Sequence, residues 1–177
     1  VPVSTTHVLE SIAAKNHGAI IRTKTSSRAF MNAASGEKVL FCGDPHGGTI
    51  FPDFQAVFDG MMSGAKMIEF VCKSEKPLSR IVEDLPRFFI ENRQVPCPWE
   101  AKGQVMRFAM EYASGHETIL IDGVKVVLKK DEWVMVLPDP DKPFVNLTVE
   151  AGSEKRLKEL VNDLLERLET WKHLTAT

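Results

Sequence analysis

The sequence lacks several features that would place it in a specialised class of protein. No apolar run approaches the roughly 18 residues of a membrane-spanning helix, and the N-terminus has no secretory signal pattern. The net charge is only -2, and no stripe of Lys and Arg with interleaved aromatic residues is present. The composition therefore predicts a globular protein without nucleic-acid or membrane partners.

Cysteine is also scarce, which bears on location and on metal binding. The three cysteines, Cys42, Cys72 and Cys97, are odd in number and widely spaced, so we do not expect a disulfide framework. We expect a reducing, cytoplasmic location instead. No C-x-x-C spacing supports a zinc site, and we assign no metal ligand. The chain also begins without a methionine, and we expect it to be an excised or processed fragment.

Composition and proline placement indicate two domains. The apolar fraction of 44% and the charged fraction of 26% are ordinary for a globular chain of this length, which can hold one sizeable core or two small ones. Three prolines between residues 86 and 98 lie in a weakly periodic stretch that is typical of a connector. We therefore predict a first domain over residues 1–94, a linker over 95–98 and a second domain over 99–177.

Apolar periodicity predicts an α/β first domain. Short strands are expected at residues 19–21 and 39–42, the second of them buried and ending at Gly43. A helical pattern over residues 54–71 predicts a long helix that packs on a sheet, with its Met and Phe side chains in the core. The three hydroxyls of residues 25–27 precede a short helix, where they would either cap its N-terminus or bind an anion.

The second domain is predicted to be a small α+β unit with a four-stranded, mainly antiparallel sheet and helices on one face. A helix is expected over residues 99–113, and Asp122-Gly123 is a strong hairpin signal between two apolar runs. A final helix follows Ser153 and carries an apolar stripe: Leu157, Leu160, Val161, Leu164, Leu165, Leu168 and Trp171. Strands are expected over residues 118–122, 124–128, 133–137 and 144–149.

The Gly-rich loop that follows the first-domain strand is the candidate binding site. Its glycines allow the backbone to approach a ligand closely, and Asp44 and His46 would project from it as hydrogen-bonding groups. An ordinary tight turn with solvated polar residues is the alternative. We assign no catalytic residue, and the predicted ligand contacts are Gly43, Asp44, His46, Gly47 and Thr49.

This loop resembles the third domain of the α-D-phosphohexomutases, the phosphomannomutase and phosphoglucomutase superfamily. That family has Gly-Glu-x-Ser-Gly-His, an apolar pair and then Asp-Gly at the start of a helix. Here Gly43 begins the loop, Ile50-Phe51 is the apolar pair and Asp59-Gly60 would open the helix. Asp44 stands at the Glu and His46 at the Ser, which are sugar-contacting positions in the family. The resemblance implies a three-layer α/β/α domain whose loop faces a sugar.

The second domain resembles the fourth, C-terminal domain of the same family. Asp122-Gly123 and the strand containing Trp133 match its framework, which leads into an Arg-x-Ser-x-Thr-x-Pro phosphate loop. Here the loop spans Leu137–Pro143, with Leu137 at the Arg position and aspartates at the two hydroxyl positions. Loss of the Arg removes a charge-assisted pair, and two carboxylates repel a dianion, so we expect no phosphate binding by this loop.

The resemblance implies the C-terminal part of a mutase that interconverts hexose 1-phosphates and 6-phosphates. The family's phosphoserine loop and its magnesium loop have no counterpart in the chain, so we expect it to be inactive alone, with no cofactor in this segment and magnesium implied only for a full-length mutase. The expected partners are a hexose phosphate and the N-terminal domains of the same parent.

Two alternatives remain open. The chain would be a non-catalytic sugar-phosphate-sensing or structural module fused to a nucleotidyltransferase of the mannose-1-phosphate guanylyltransferase type. Otherwise it would be an interaction module with no sugar ligand, an interpretation that the polar Gly-rich loop argues against.

Overall fold

The computed structural model describes residues 1–36 and 38–175, and side chains up to residue 170. The chain consists of two compact units, Val1–Arg87 and Phe88–Thr177. Within the described ranges, no helix combines the length and the apolar character needed to cross a membrane. The α/β class that the sequence indicates is confirmed, with helices and a small sheet in the first unit and a larger sheet in the second.

The described residues of the first unit, 1–36 and 38–87, form four helices and an antiparallel hairpin. The hairpin pairs Cys42 with Ile50 and Gly43 with Thr49. Isolated bridges also join Pro2 to Thr23 and Phe51 to Gln55. The elements, in chain order, are α1 (Val8–Lys15), α2 (Ser27–Ala34), β1 (Cys42–Gly43), β2 (Thr49–Ile50), α3 (Gly60–Ser74) and α4 (Leu78–Glu83).

Side-chain hydrogen bonds cap α2 and α3 and support the start of α1. The Val8 amide donates to the Thr6 hydroxyl at 3.1 Å, and the Ala29 amide donates to the Ser26 hydroxyl at 3.3 Å. Of the hydroxyl cluster before α2, Ser26 therefore caps the helix. The Asp59 carboxylate accepts from the Met62 amide at 2.9 Å, so the Asp-Gly pair opens α3 as the resemblance implies.

A small core and one arginine hold the first unit together. Phe30, Ala34, Cys42 and Ile50 are buried as a cluster, and the Phe58 ring stacks on Phe30 with 5.8 Å between ring centroids. The Arg22 guanidinium donates to the backbone carbonyls of three N-terminal residues and to the Glu10 carboxylate; the carbonyls belong to Pro2, Thr5 and Thr6. These bonds tie the N-terminal segment to the start of α1.

The first unit differs from the sequence expectations in its strands. Residues 19–21 form no ladder, because the parallel pairing with the N-terminal segment falls at Thr23. The strand expected over residues 39–42 begins only at Cys42, and Leu40 and Phe41 are 79% and 52% exposed. The predicted buried strand is therefore wrong, because only its last residue has a pairing partner in β2.

Helix α3 also differs from its prediction. It begins at Gly60 rather than at Phe54, because residues 52–54 form a turn and Asp59 caps the helix. None of its residues is buried. Met61 is 87% exposed and Ile68 is 68% exposed, so the prediction that its apolar side chains form a core is wrong.

The second unit is a five-stranded antiparallel sheet with the order β3-β7-β6-β5-β4. A short 3-10 turn, Trp99–Ala101, precedes its first helix. The elements are β3 (Phe89–Pro96), α5 (Lys102–Tyr112), β4 (Glu117–Ile119), β5 (Val124–Lys129), β6 (Glu132–Pro138), β7 (Phe144–Ala151) and α6 (Glu154–Thr175). Four of these strands match the predicted ones to within a few residues.

The fifth strand, β3, occupies part of the stretch predicted to be a connector. It pairs with β7 along its whole length, from Phe89 opposite Ala151 to Pro96 opposite Phe144. The boundary between the compact units therefore falls between Arg87 and Phe88 in the sequence, earlier than the boundary predicted at Gln94. Proline is compatible with this strand because β3 lies at the sheet edge and Pro96 is its last residue.

One face of this sheet packs against α5 and α6 and forms the main core. Phe108 of α5 and Leu164 of α6 lie in one cluster with the inward-facing valines of the strands: Val124, Val126, Val134, Val136, Val145 and Val149. Within the predicted stripe of α6, Leu157, Leu160, Val161, Leu164 and Leu168 are buried, which confirms it there. The side chain of Trp171 lies outside the described residues.

The alternate residues of the strands form a buried polar cluster. The Trp133 indole N–H donates to the Glu150 carboxylate at 2.5 Å, and the Lys125 ammonium lies 3.7 Å from the centroid of the Trp133 ring. All three side chains are buried. A one-residue slip of β5 or β7 would place Lys125 or Glu150 among the core valines, so these two charges oppose a change of strand register.

The connection between β4 and β5 generates a stability prediction. Gly123 has φ +69°, and a Cβ there would overlap the carbonyl oxygen of Val136 and come within 3.1 Å of the Leu137 Cα. We expect Gly123→Ala to lower the free energy of unfolding by more than about 1 kcal/mol, because both backbone strain and steric overlap oppose it. Denaturant unfolding followed by tryptophan fluorescence measures this.

The matched control is Gly152→Ala, because a Cβ at Gly152 meets no heavy atom within 4 Å. Equal unfolding midpoints for the two variants would contradict the assigned role of Gly123.

Candidate functional site

The Gly-rich loop is the closed turn of the β1–β2 hairpin. The Asp44 amide donates to the Gly48 carbonyl at 2.9 Å, and the Gly47 amide donates to the Asp44 carbonyl at 3.2 Å. The loop therefore reverses the chain between two paired strands, rather than leading from a parallel strand into a helix.

The Asp44 side chain holds the loop from within. Its Oδ1 accepts from the His46 amide at 2.7 Å and from the Gly48 amide at 3.1 Å. One carboxylate oxygen is thus committed to the loop backbone. Asp44 is half-buried and shapes the turn, whereas the His46 side chain is exposed at its tip.

Two glycines are required here, for different reasons. Gly47 has φ +88°, a backbone conformation that other residues rarely adopt. Gly48 has no room for a side chain, since a Cβ would come within 2.8 Å of the Asp44 Oδ2 and 2.9 Å of the Phe58 ring. Sequence reasoning identified Gly47 but omitted Gly48, whose role depends on the fold around Phe58. At Gly43, a Cβ would meet only the Phe41 ring, at 3.0 Å.

Thr49 anchors the loop to α3. Its hydroxyl forms a short hydrogen bond with the Ser63 hydroxyl, and Ser63 donates to the Asp59 carbonyl at 2.5 Å. The predicted contact residue Thr49 is therefore half-buried, and its hydroxyl is already engaged. Ser63, the residue to which Thr49 is hydrogen-bonded, belongs to no recognisable sequence motif and was not predicted.

A cavity of about 660 Å³ adjoins the loop. Asp44, Pro45 and Thr49 line one side of it, whereas His46 lies outside the lining. Much of the remaining wall is apolar and includes Ile20, Ile21, Val39, Leu40 and Phe41. The wall also includes the polar residues Thr5, His17, Thr23 and Lys38, whereas the His46 imidazole is exposed at the tip of the loop.

The loop over residues 138–143, in the second unit, has the same kind of internal support. The Asp139 Oδ1 accepts from the amides of Asp141 and Lys142, both at 2.9 Å, and the Asp139 amide donates to the Phe144 carbonyl at 3.0 Å. These hydrogen bonds from backbone amides hold the pKa of Asp139 below its usual value. The two N–H groups are therefore already occupied by a carboxylate.

Lys102 fastens this second loop to the start of α5. Its ammonium donates to the carbonyls of Asp139 at 2.5 Å and Lys142 at 2.6 Å, and it lies 3.4 Å from the centroid of the Trp99 ring. Sequence reasoning missed Lys102, because the residues it binds are 37 and 40 positions away and no local pattern links them.

Potential metal ligands do not converge in the part of the chain that the structure describes. Within residues 1–36 and 38–175, no three His, Cys, Asp or Glu side chains come together in a group that would hold a metal ion.

Comparison with known proteins identifies the family of this chain. Residues 1–89 match the family described as Phosphoglucomutase/phosphomannomutase, alpha/beta/alpha domain III. This match covers half of the chain, and the chain therefore belongs to the phosphoglucomutase/phosphomannomutase family. The resemblance seen in the Gly-rich loop is confirmed.

Individual relatives agree with this assignment. The chain is 29% identical over 168 residues to a phosphoglucomutase/phosphomannomutase of Thermococcus kodakarensis, covering 94% of this chain and 37% of the relative. It is 31% identical over 146 residues to a phosphoglucosamine mutase of Methanococcus aeolicus, covering 80% of this chain and 32% of the relative. The chain thus spans about a third of the length of the curated relatives it matches.

A solved structure shares the fold. A phosphoglucomutase/phosphomannomutase family protein from Burkholderia thailandensis superposes with a TM-score of 0.80 at 22% identity. The superposition covers 97% of this chain and 37% of that one.

The support of the second loop by Asp139 predicts a pH dependence. The pKa of Asp139 is lower in the folded chain than in the unfolded chain. The stabilisation from its two backbone hydrogen bonds is therefore fully present above the ordinary aspartate pKa of about 3.9, and it is lost as the pH falls through the lowered pKa. We expect the amide resonances of Asp141 and Lys142 to titrate with a midpoint below that ordinary pKa, as measured by NMR.

Asp139→Asn is the control, because its amide group removes the titrating carboxylate and both resonances should lose this transition. A midpoint at or above the ordinary aspartate pKa in the unmodified chain would contradict the assigned hydrogen bonds.

Proposed function

We propose that this chain supplies the sugar-facing part of a phosphohexomutase-type protein, with the loop Gly43–Thr49 as its hexose contact. The observation that carries the proposal is the loop tip, where the exposed His46 lies next to Gly47, whose backbone is exposed and has no other group within 4 Å of the Cβ position. The names of the relatives, mutases of phosphorylated glucose, mannose or glucosamine, support a hexose phosphate as the substrate class.

The residues of this loop have different tasks in the proposal. His46 offers an imidazole that donates or accepts a hydrogen bond from a sugar hydroxyl. Asp44 keeps the turn closed through Oδ1 and has Oδ2 as a remaining acceptor. Thr49 holds the loop in place and does not contact the sugar through its hydroxyl, because that hydroxyl is hydrogen-bonded to Ser63.

The phosphate of the substrate is held elsewhere in this proposal. In the second loop, the Asp139 carboxylate occupies the backbone donors that an anion would need. Lys102 lies near the loop, but its ammonium is committed to two backbone carbonyls. A dianion would also meet the carboxylates of Asp139 and Asp141 and gain no bidentate partner from Leu137.

The transfer step therefore requires residues outside this chain. Phosphoryl transfer needs an acceptor group and positive charge around the transferred group, commonly with a metal ion. The phosphoserine and magnesium loops of the family have no counterpart in the sequence. Magnesium and the nucleophile would come from the N-terminal domains of a full-length mutase.

A second candidate function is suggested by the loop of residues 138–143, whose backbone amides are already hydrogen-bonded to the Asp139 carboxylate. A mutase-like module that senses or binds a hexose phosphate without turning it over, such as one fused to a guanylyltransferase-type nucleotidyltransferase, has no need for a phosphate loop. The internal carboxylate at Asp139 favours this candidate. Sequencing the parent transcript distinguishes the two, since a phosphoserine loop would mark a mutase and a nucleotidyltransferase glycine loop a fusion.

The isolated chain should show no mutase activity. We expect background rates in a coupled assay with glucose 1-phosphate or mannose 1-phosphate, a hexose bisphosphate activator and magnesium, because the sequence has no counterpart of the family's phosphoserine and magnesium loops. The chain must be purified from a mutase-deficient host, with an intact mutase as the positive control. Turnover above background in such a preparation would overturn this part of the proposal.

Hexose binding should be centred on the first loop. We expect NMR titration with hexose phosphates and free hexoses to shift the amides of Asp44 and His46 and to leave Asp139 unchanged. His46→Ala should weaken this binding about fivefold, the value of one hydrogen bond of about 1 kcal/mol. The matched control, Asp141→Asn, alters the second loop and should bind as the unmodified chain does. Phosphate-dependent shifts at Asp139 and Lys142 would contradict the proposal.

A further inference from the structure

Ser63, near the start of α3, connects the Gly-rich loop to that helix. Its side chain is half-buried, and its hydroxyl is hydrogen-bonded to the Thr49 hydroxyl and donates to the Asp59 carbonyl at 2.5 Å. Thr49 ends the loop and begins β2, whereas Asp59 caps α3. Ser63 therefore lies where the end of the loop meets the start of the helix.

The hydrogen bonds of Ser63 have a fixed direction. A serine hydroxyl carries one proton, and Ser63 donates that proton to the Asp59 carbonyl. In the pair with Thr49, Ser63 is therefore the acceptor and Thr49 is the donor. The two hydroxyls form a chain from Thr49 through Ser63 to the backbone of α3, which holds the Thr49 side chain against the helix.

The loop's own hydrogen bonds set its shape but not its position against α3. The Asp44 carboxylate accepts from amides within the loop, and the β1–β2 ladder consists of two residue pairs. A two-stranded hairpin of this kind is at best marginally stable by itself. The contacts between the loop and α3 therefore determine where the loop tip, with the exposed His46, lies.

Two further contacts join the same parts of the first unit. The Asp59 amide donates to the Thr49 carbonyl at 3.2 Å, and Gly48 lies so close to the Phe58 ring that a Cβ would come within 2.9 Å of it. Ser63→Ala leaves both contacts in place, and alanine is a better helix former than serine. Loss of the hydroxyl should therefore loosen the loop without unfolding the unit.

We infer, on the basis of the proposed function, that Ser63 is a positioning residue for the hexose contact and acts through Thr49. Ser63 does not contact the sugar itself; it fixes the end of the loop whose tip carries His46. A hydrogen bond weakens steeply as its angle departs from linearity, and a displaced group loses much of its effect on a bound substrate. A loop that is free to tilt should therefore bind a hexose less tightly.

NMR titration with hexose phosphates and free hexoses tests this role in the whole chain. Ser63→Ala should weaken hexose binding about threefold, less than the loss of the complete His46 hydrogen bond. Ser63→Thr keeps the hydroxyl and should restore binding. Ser74→Ala is the matched control, because Ser74 lies at the other end of α3, is also half-buried and donates to the Val71 carbonyl at 2.9 Å.

Two measurements separate positioning from a general effect on stability. The Asp59 amide donates to the Thr49 carbonyl, so its hydrogen exchange reports the link between loop and helix without any sugar. Ser63→Ala should speed this exchange, whereas Ser74→Ala should not. In a Thr49→Val background, which already lacks the donor hydroxyl, Ser63→Ala should cause no further change in exchange or in hexose binding.

The same measurements distinguish a failure of the Ser63 role from a failure of the proposed function. If hexoses shift no amide of the loop in the unmodified chain, the proposed function is wrong and Ser63 has no sugar contact to position. If the unmodified chain and Ser63→Ala bind hexoses equally, the proposed function stands and the role of Ser63 is overturned. Unchanged Asp59 exchange in Ser63→Ala, equal weakening in Ser74→Ala, or no restoration by Ser63→Thr would overturn it as well.

Discussion

Both polar loops depend on one interaction, a carboxylate that accepts two backbone N–H groups from its own loop. In each case an aspartate precedes a proline, which has no N–H to satisfy, and its Oδ1 accepts from the amide two positions further on and from a second amide beyond it. Asp44 and Asp139 thus shape their loops through hydrogen bonds to residues two to four positions away.

The two loops differ in what this interaction leaves available. Around Asp44, Gly47 keeps the backbone uncovered and His46 remains exposed, so neutral hydroxyl groups can be accommodated. Around Asp139, the loop is further fastened by Lys102, and the fixed negative charge opposes anions. The same local device is therefore compatible with a sugar in one unit and unfavourable to a phosphate in the other.

Local signals in the sequence were enough for much of the fold. The apolar stripe of α6 could be predicted because it depends on residues a few positions apart, whereas the start of α3 at Asp59-Gly60 followed from the family resemblance. Features that depend on distant partners could not be predicted. The edge strand β3 forms because it pairs with β7, and Lys102 donates to a carbonyl group 37 positions away in the sequence. Periodicity indicated that α3 is apolar, but it did not say that the apolar side faces solvent.

The pairing of β3 with β7 sets an order of events during synthesis. Asn92 and Thr148, which share a hydrogen bond across these strands, are 56 residues apart. At a ribosome, β3 is made first and waits on the order of several seconds for its partner. The adjacent strands β4, β5 and β6 can pair as soon as each appears, because their connections are short. The nascent unit thus grows from its far edge, and its first strand is the last to be covered.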